Sequence, residues 1–508
     1  MKEIFSAKIT TFDIHNSGGL IVILNAEQAA KYGIRDGDKI SLIRKDEEYV
    51  VDVALSSNYI QANQIGVTHD FLKSYPMQEG DNVLVSFAQH NPLSMQAIRK
   101  KLLGQKISDE EIDAIIDDIQ NNKLSDLVLA YYTATSFFHK TDSHELAYTT
   151  KATAYTGDMY RFPGKVAGKY SIGGVPGNET TMIIIPILAS LGITTPKTFS
   201  KAITSPTATG ECVNVLMDIS FKKAEIIRMT DKNGGCLVRN EGLNLAPAND
   251  RIIKVSSPLG MEPYARMISS IMAKNYAMGI SHCLIDIPMG PTAKVANIED
   301  AKRISQHFKQ IWAYLGIKMD VQIVEALEPV GNGIGAALQA REALRILQNH
   351  PEKSLNLEEK AVTLSAKLIL LCKMAKTLTE AKKIATKQLK NGKAREKMSQ
   401  IIEAQRGNPN IKSEDIQLGR LQYHVKAPED TTIEGIDMKY LNTVVRTLGA
   451  PAEYKAGVLL NKKLKEKAKK GELLYTLYSE SDTKMSIVKK MLAEKDFYTY
   501  TSKGDATN

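Results

Sequence analysis

The segment of this sequence best suited to chemistry is a glycine-rich stretch at 168–178, GKYSIGGVPGN, which runs directly into a helix-like segment. Glycines let the backbone turn so that several N–H groups point inward. Lys169, Ser171 and Thr181 add side-chain donors to the partial positive charge of a helix N-terminus. The stretch therefore predicts an anion site suited to phosphate, with an ordinary glycine-rich surface turn as the alternative.

The spacing of these glycines excludes two better-known phosphate sites. It matches neither G-x-x-x-x-G-K-[ST] nor G-x-G-x-x-G, so neither a P-loop nor a dinucleotide site is predicted. A second stretch, SKAITSPTATG at 200–210, carries five hydroxyl side chains and one lysine. Such donors can line an oxyanion pocket, and an ordinary capped loop is the alternative.

Composition limits the class of protein without identifying a partner. The chain has 508 residues, of which 43% are hydrophobic and 24% charged, as in globular proteins of about three or four domains. These proportions exclude a disordered or fibrous protein. The net charge of +9 suits nucleic acid, an acidic surface or an anionic small molecule, and composition alone does not choose among them.

Several absences in the sequence point to a cytoplasmic protein. The four cysteines form no C-x-x-C pair, so we expect reduced thiols rather than disulfides or structural zinc. His139, His144 and His282 lack a metal-ligand spacing, and no metal is predicted. No export signal is predicted. The most apolar run, 182–193, is too short to cross a bilayer, so no membrane partner is expected.

The order of predicted elements gives an α/β and α+β multidomain fold. Residues up to about 85 contain short strand-like runs separated by turns. A capping box at Ser108 and Glu111 then opens a helix with isoleucines on one face. Strands and helices alternate from about 165 to 350, which is typical of an α/β core. The last hundred residues mix strands with a lysine-rich helix.

Ordered motifs spread over nearly the whole chain resemble the thymidine/pyrimidine-nucleoside phosphorylase family, and within it the long branch that contains AMP phosphorylase. The matching segments are 169–178, 196–198, 202–206, 244–248, 284–295, 333–338, 340–342 and 448–451, with 456–457. The resemblance implies four domains: an N-terminal β-barrel-like domain at 1–86, a helical domain at 90–160 with a contribution from 256–279, an α/β phosphate-binding domain at 161–410, and a C-terminal α+β domain at 411–508.

The resemblance also implies an activity, namely phosphorolysis of the N-glycosidic bond of AMP and related nucleoside 5′-monophosphates. The products would be a free base and α-D-ribose 1,5-bisphosphate. Thymidine phosphorylase activity is one alternative, and a relative that binds a phosphorylated ligand without turnover is another. Inorganic phosphate would be a co-substrate and no cofactor is expected. Family members form dimers, so a homodimer or larger homo-oligomer is implied.

Site residues carry over from the family by motif. The implied phosphate ligands are Lys169, Ser171, Thr181, Ser200 and Thr209. The implied nucleotide contacts are Gly174, Ser200, Lys201, Ala202, Ile203, Thr204, Ser205, Thr209, Ser270, Lys274 and Lys294. Lys169 and Glu262 are the implied catalytic residues, with Glu262 as proton donor where the family has an aspartate. A carboxyl group can serve as a general acid at neutral pH if its surroundings raise its pKa.

Four departures from the family pattern bear on the substrate. Tyr170 replaces a histidine, and Lys201 replaces an arginine and so lacks its bidentate fork. Glu179 replaces an arginine, which places a negative charge beside the anion site. Residues 239–243, RNEGL, replace a Trp-Gly-Gly-Ala stretch. Each change is tolerable alone, and together they leave the preferred substrate open.

A lysine-rich stretch at 462–470 invites a nucleic-acid interpretation. It lacks interleaved aromatic residues and is interpreted as the solvated face of a helix in the C-terminal domain. The expected partners are therefore a small nucleotide or nucleoside and phosphate, and not nucleic acid.

Overall fold

Six strands close into a barrel at the N-terminal end of the chain. The computed structural model describes residues 3–13, 21–45, 47–88, 91–138, 142–199, 206–240, 242–256 and 264–501. The strands are β1 (Glu3–Phe12), β2 (Ile21–Asn25), β3 (Lys39–Arg44), β4 (Glu47–Ser56), β5 (Gln64–Thr68) and β6 (Asn82–Phe87). Their order around the barrel is β1-β5-β2-β4-β3-β6, and β6 pairs with β1 to close it. Two short helices connect strands, α1 (Ala26–Lys31) and α2 (His69–Ser74). Alternate apolar side chains fill the interior.

Four helices follow the barrel: α3 (Pro92–Leu102), α4 (Asp109–Gln120), α5 (Asp126–Phe138) and α6 (Ser143–Tyr155). The capping box predicted for α4 is confirmed, because the Glu111 amide donates to Ser108 Oγ at 3.2 Å and the Ser108 amide donates to Glu111 Oε2 at 2.9 Å. Ile112, Ile115 and Ile119 are fully buried on one face of α4. The 3.6-residue period therefore places this face in the core, as predicted.

Strands and helices alternate in the middle of the chain. The elements are β7 (Ala167–Ser171), α7 (Thr181–Ala189), β8 (Thr195–Phe199), α8 (Thr209–Asn214), α9 (Lys223–Asn233), β9 (Gly235–Arg239), α10 (Pro247–Ser256), α11 (Tyr264–Ala277), β10 (His282–Met289), α12 (Ile298–Leu315), β11 (Lys318–Glu325), β12 (Gly333–Ile334), α13 (Ala336–Leu347), α14 (Leu355–Leu371), α15 (Leu378–Lys390) and α16 (Lys393–Ala404). Strands β11, β10 and β7 form a parallel sheet in that order, and β8 pairs with β9 in parallel.

The apolar runs of this region form one large core. Every residue of α7 is buried, which matches a helix that is hydrophobic all round. Strand β10 is buried along seven of its eight residues, as expected for a parallel strand covered on both faces. Helices α13, α14, α15 and α16 contribute further side chains to this core.

The last hundred residues, together with β12, form two antiparallel sheets with two helices. The elements are β13 (Leu421–Lys426), β14 (Thr431–Ile436), α17 (Met438–Leu448), β15 (Gly457–Leu460), β16 (Lys467–Ala468), β17 (Leu473–Ser479), α18 (Asp482–Glu494) and β18 (Tyr498–Thr501). The sheet orders are β12-β15-β17-β13 and β16-β14-β18. The predicted lysine-rich helix at 462–470 is wrong: this segment forms turns and the short strand β16. Tertiary contacts override its helix propensity, since Lys463 is buried and its Nζ donates to the Val330 carbonyl at 3.2 Å.

The chain divides into two units, one of residues 1–157 and 246–270, the other of residues 158–245 and 271–508. The mixed α/β multidomain class is confirmed, whereas the four predicted domain boundaries stay predictions. Cys212, Cys236, Cys283 and Cys372 are all buried and unpaired. Over the described ranges, no helix is long and apolar enough to cross a bilayer.

Candidate active site

The candidate site begins where two neighbouring parallel strands end. Strand β7 pairs with β10 so that Lys169 lies opposite Leu284 and Ser171 lies opposite Asp286. The carboxyl ends of strands in an open α/β sheet are where such folds bind ligands. Ser171 therefore ends β7 at the edge of the sheet where a site is expected, and Lys169, a second predicted phosphate ligand, lies two residues before it.

The glycine-rich loop leaves β7 in a conformation that requires glycine. Gly173, Gly174 and Gly177 have φ values of +84°, +95° and +66°. The Gly173 amide donates to Ser171 Oγ at 3.3 Å, which folds the loop back over the strand end. A Cβ atom on Gly174 would lie 2.8 Å from the backbone nitrogen of Lys294, so these two predicted site residues adjoin.

A second segment supports this loop from behind. The Val330 amide donates to the Pro176 carbonyl at 3.2 Å, and the Gly331 amide donates to the Gly177 carbonyl at 3.0 Å. The buried carboxylate of Glu342 accepts hydrogen bonds from the Asn332 and Gly333 amides at 2.7 and 3.1 Å. The loop is therefore fixed by backbone hydrogen bonds rather than left as an exposed turn.

Lys169 lies in a buried network of charges. Its Nζ donates to Thr180 Oγ1 at 3.0 Å and lies 3.9 Å from Asp286 Oδ2. The same Asp286 oxygen lies 3.2 Å from Lys360 Nζ and accepts a hydrogen bond from Ser171 Oγ at 3.4 Å. Burial lowers the pKa of Lys169, and the Asp286 carboxylate opposes that shift. Asp286 is therefore the carboxylate that most favours a charged Lys169.

Two further ionisable groups lie against Lys169 from other elements. Glu179, on the loop before α7, is 2% exposed, and burial raises its pKa to about 7 while Lys169 opposes the rise. Lys197 of β8 donates to the Lys169 carbonyl at 3.1 Å, and burial, followed by the Lys169 charge, lowers its pKa to about 7. Lys197 Nζ lies 3.5 Å from the centroid of the Tyr170 ring, which offers a cation–π contact. Burial raises the pKa of Tyr170 beyond its ordinary range.

The predicted hydroxyl ligands lie at helix starts next to these charges. Thr181 is buried and opens α7, and Thr209 opens α8 and hydrogen-bonds the Glu179 carboxylate. Unpaired backbone N–H groups at a helix N-terminus favour an anion. The arrangement combines a lysine, hydroxyls and a glycine loop, which is chemistry suited to holding a phosphate group.

The remaining predicted residues belong to other elements or lie outside the described part of the chain. Ser270 accepts a hydrogen bond from Asn249 at 2.8 Å, and Lys274 is buried; both are on α11. Lys294 is exposed in the turn after β10. The predicted residues Ser200, Lys201, Ala202, Ile203, Thr204, Ser205 and Glu262 lie outside the described residues. The assigned roles of all these residues stay predictions.

Sequence reasoning missed three members of the charge network: Asp286, Lys197 and Lys360. Asp286 carried a signal, since a lone acidic residue inside the apolar run at 282–287 needs a buried partner. Lys197 lies in the segment 196–198 that matches the family, but no role was predicted for it. Lys360 projects from the amphipathic helix α14 and had no local signal at all. No group of three or more His, Cys, Asp or Glu side chains within the described ranges is placed to hold a metal ion.

Two comparisons with known proteins concern the C-terminal domain and the fold. Residues 432–496 match the family model described as the pyrimidine nucleoside phosphorylase C-terminal domain. The fold resembles the crystal structure of anthranilate phosphoribosyltransferase from Thermus thermophilus, with a TM-score of 0.53 and 14% identity, covering 61% of this chain and 99% of that one. That likeness shows the fold alone.

Full-length relatives give a finer assignment. The chain is 38% identical to proteins named AMP phosphorylase from Thermococcus sibiricus and Thermococcus kodakarensis, and 37% identical to one from Pyrococcus furiosus; each match covers 94% of this chain and 94% of the relative. The chain therefore belongs to the AMP phosphorylase family. The resemblance read from the motifs is confirmed.

Proposed function

We propose that this protein catalyses the phosphorolysis of AMP and related nucleoside 5′-monophosphates to free base and α-D-ribose 1,5-bisphosphate. Family membership supports this activity and makes the chain a pentosyltransferase. The structural observation that carries the proposal is the position of Lys169. It lies buried in a parallel strand, two residues before that strand ends, and donates a hydrogen bond to Thr180 at the start of α7; a phosphate ion there would meet matching donors.

The reaction needs an oxygen nucleophile aimed at the anomeric carbon. A phosphate oxygen forms a bond to that carbon as the bond to the base nitrogen breaks, with inversion, and the departing base takes up a proton. Lys169, Ser171, Thr181 and Thr209 would hold and orient the attacking phosphate, with Ser200 as a further proposed ligand. Fixed donors at this point stabilise developing charge without rearranging during the reaction.

The nucleotide would occupy the open side of the glycine loop. Gly174 would let the substrate approach the backbone closely, and the exposed Lys294 beside it would contact the nucleotide. Ser270 and Lys274, and the 200–205 segment including Lys201, are the other proposed contacts. Glu262 is the proposed proton donor to the base. We propose that the enzyme works as a homodimer or larger homo-oligomer in the cytoplasm, without a cofactor.

One assay separates this activity from its alternatives. The purified full chain is incubated with phosphate and, separately, AMP, CMP, UMP, thymidine or uridine, and released base is measured. Release from the monophosphates alone supports the proposal, whereas release from nucleosides alone supports thymidine phosphorylase activity. No release from any substrate contradicts both activities. Lys169→Ala should abolish release, while Lys302→Ala, at an exposed position on α12, should not.

A further inference from the structure

Glu179 is an unexpected group to find beside a phosphate site. The residue is 2% exposed, and its carboxyl group accepts hydrogen bonds from Thr209 and from the Met182 amide. Cys212 of α8 also hydrogen-bonds it. Glu179 Oε1 is fully buried and has no hydrogen-bond partner among the described residues. An ionised carboxylate would repel an incoming phosphate here, because the two anions would share one low-dielectric region.

The charges that face Glu179 come from neighbouring strands. Lys169 of β7 and Lys197 of β8 both attract it, and Lys197 in turn faces the Lys169 charge, the Tyr170 ring and the Cys283 thiol. Asp286 and Lys360 complete the network through Lys169. Fully ionised, the network has three lysines and two carboxylates over the described residues, which leaves one net positive charge.

We propose that phosphate binding at this site is coupled to proton uptake by Glu179 and Lys197. Glu179 is then a positioning residue, because its protonation adjusts the charge of the site to that of a phosphate dianion. This inference rests on the proposed phosphate-binding function. The reason is charge balance in a buried space. Without phosphate, a neutral Lys197 and an ionised Glu179 leave Lys169 and Lys360 balanced by Glu179 and Asp286. With a phosphate dianion, protonated Glu179 and charged Lys197 leave three lysines balanced by Asp286 and the dianion. These five side chains therefore sum to zero charge in the free state, and with the phosphate dianion they sum to zero in the bound state. A net charge of zero is favourable for ionised groups in a buried space.

Two observations support proton uptake by Glu179 and Lys197 when phosphate binds. Burial brings the pKa values of Glu179 and Lys197 to about 7 from opposite directions, so each gains or loses a proton near neutral pH. The buried Oε1 of Glu179 also lacks a partner among the described residues, and a protonated carboxyl group can donate a hydrogen bond where an ionised one only accepts. The same residue that opposes an anion when ionised therefore becomes compatible with it when protonated.

Calorimetry measures the proposed proton uptake directly. Inorganic phosphate is titrated into the full chain at about pH 8, where free phosphate is mostly the dianion and both groups are mostly deprotonated. Repeating the titration in buffers of different ionisation enthalpy gives the number of protons taken up per phosphate. We expect about one to two protons for the natural chain and about one fewer for Glu179→Gln. Glu145→Gln, which changes another buried glutamate paired with Lys101, should leave the uptake unchanged.

A second measurement does not depend on a variant. The phosphate dissociation constant of the natural chain should rise as pH increases above about 7, by about tenfold per pH unit for each proton taken up. Phosphate binding with no proton uptake and a flat pH dependence would overturn this inference alone. Equal proton uptake in the natural chain and in Glu179→Gln would show that Glu179 does not take up a proton when phosphate binds. Absence of phosphate binding would overturn the proposed function as well.

Discussion

Gly174 and Lys294 are in backbone contact although they come from motifs far apart in the sequence. A Cβ atom added to Gly174 would lie 2.8 Å from the Lys294 backbone nitrogen and 3.3 Å from its Cγ. The glycine loop after β7 and the turn after β10 therefore rest directly on each other. This contact fixes the position of an exposed lysine relative to the loop that carries the proposed phosphate ligands.

Gly174→Ala should disturb both loops, and Gly173→Ala provides a matched control. Both residues have positive φ, so each substitution should cost about 1–3 kcal/mol of backbone strain. Only Gly174 has close neighbours, because a Cβ on Gly173 would meet nothing within 4 Å. We expect Gly174→Ala to lower kcat/KM about ten- to a hundredfold more than Gly173→Ala, since small misplacements are costly to catalysis. Equal losses in base-release kinetics would contradict the importance of this contact.

Local motifs explain how much of the site was predictable. Lys169, Ser171 and Gly174 lie in one contiguous stretch, so the identities and spacing of these residues are enough to predict an anion site. The Ser108–Glu111 capping box is equally visible in the sequence, because both of its hydrogen bonds form within one helical turn.

Long-range contacts explain what the sequence did not reveal. Asp286 meets Ser171 only through the register of β7 on β10, and Lys360 reaches Asp286 from a helix packed on that sheet. Neither contact leaves a periodic signal in the chain. The helix predicted for 462–470 is wrong for the same reason, because the contacts of Lys463 with residues of another segment, and not local propensity, decide its conformation.

Asp286→Asn should destabilise the fold strongly. The substitution removes the buried carboxylate that lies 3.2 Å from Lys360 Nζ and 3.9 Å from Lys169 Nζ, and it leaves the buried Lys169 and the partly buried Lys360 without this counter-charge. Breaking such a pair typically costs about 3–5 kcal/mol. Asp320→Asn is the control, since Asp320 pairs with Lys367 at 2.9 Å but is 45% exposed and should lose at most about 1 kcal/mol. Similar unfolding free energies for the two variants in denaturant titrations would refute a structural role for the Asp286 charge.

Glu179→Gln should change how stability depends on pH. The folded-state pKa of Glu179 is about 7, above its ordinary value of 4.5, so its contribution is fully present below pH 4.5 and is lost as pH rises through 7. Glutamine does not titrate, so its contribution to stability is not lost as pH rises. We expect the variant to gain about 2–3 kcal/mol relative to the natural chain between about pH 5 and pH 8. Unfolding curves measured without phosphate at both pH values test this, and a constant difference between the two proteins would show that Glu179 does not titrate in this range.

Lys463→Met should destabilise the segment that supports the glycine loop. Lys463 Nζ is buried and donates to the carbonyls of Pro329 and Val330, and the Val330 amide in turn holds the Pro176 carbonyl. Methionine keeps an apolar stem of similar length but leaves those carbonyls without the ammonium donor, which should cost about 1–3 kcal/mol.

The matched control for this substitution lies in the same lysine-rich segment. Lys467 is exposed on β16, so Lys467→Met should change the unfolding free energy by no more than about 0.5 kcal/mol. Lys463→Met should also raise the KM for phosphate, because a looser 329–333 segment no longer fixes the loop around Gly177. Thermal unfolding and steady-state kinetics of both variants measure these effects. If the two substitutions had equal effects, the lysines of 462–470 would act only through their charge, and the structural role assigned to Lys463 would be wrong.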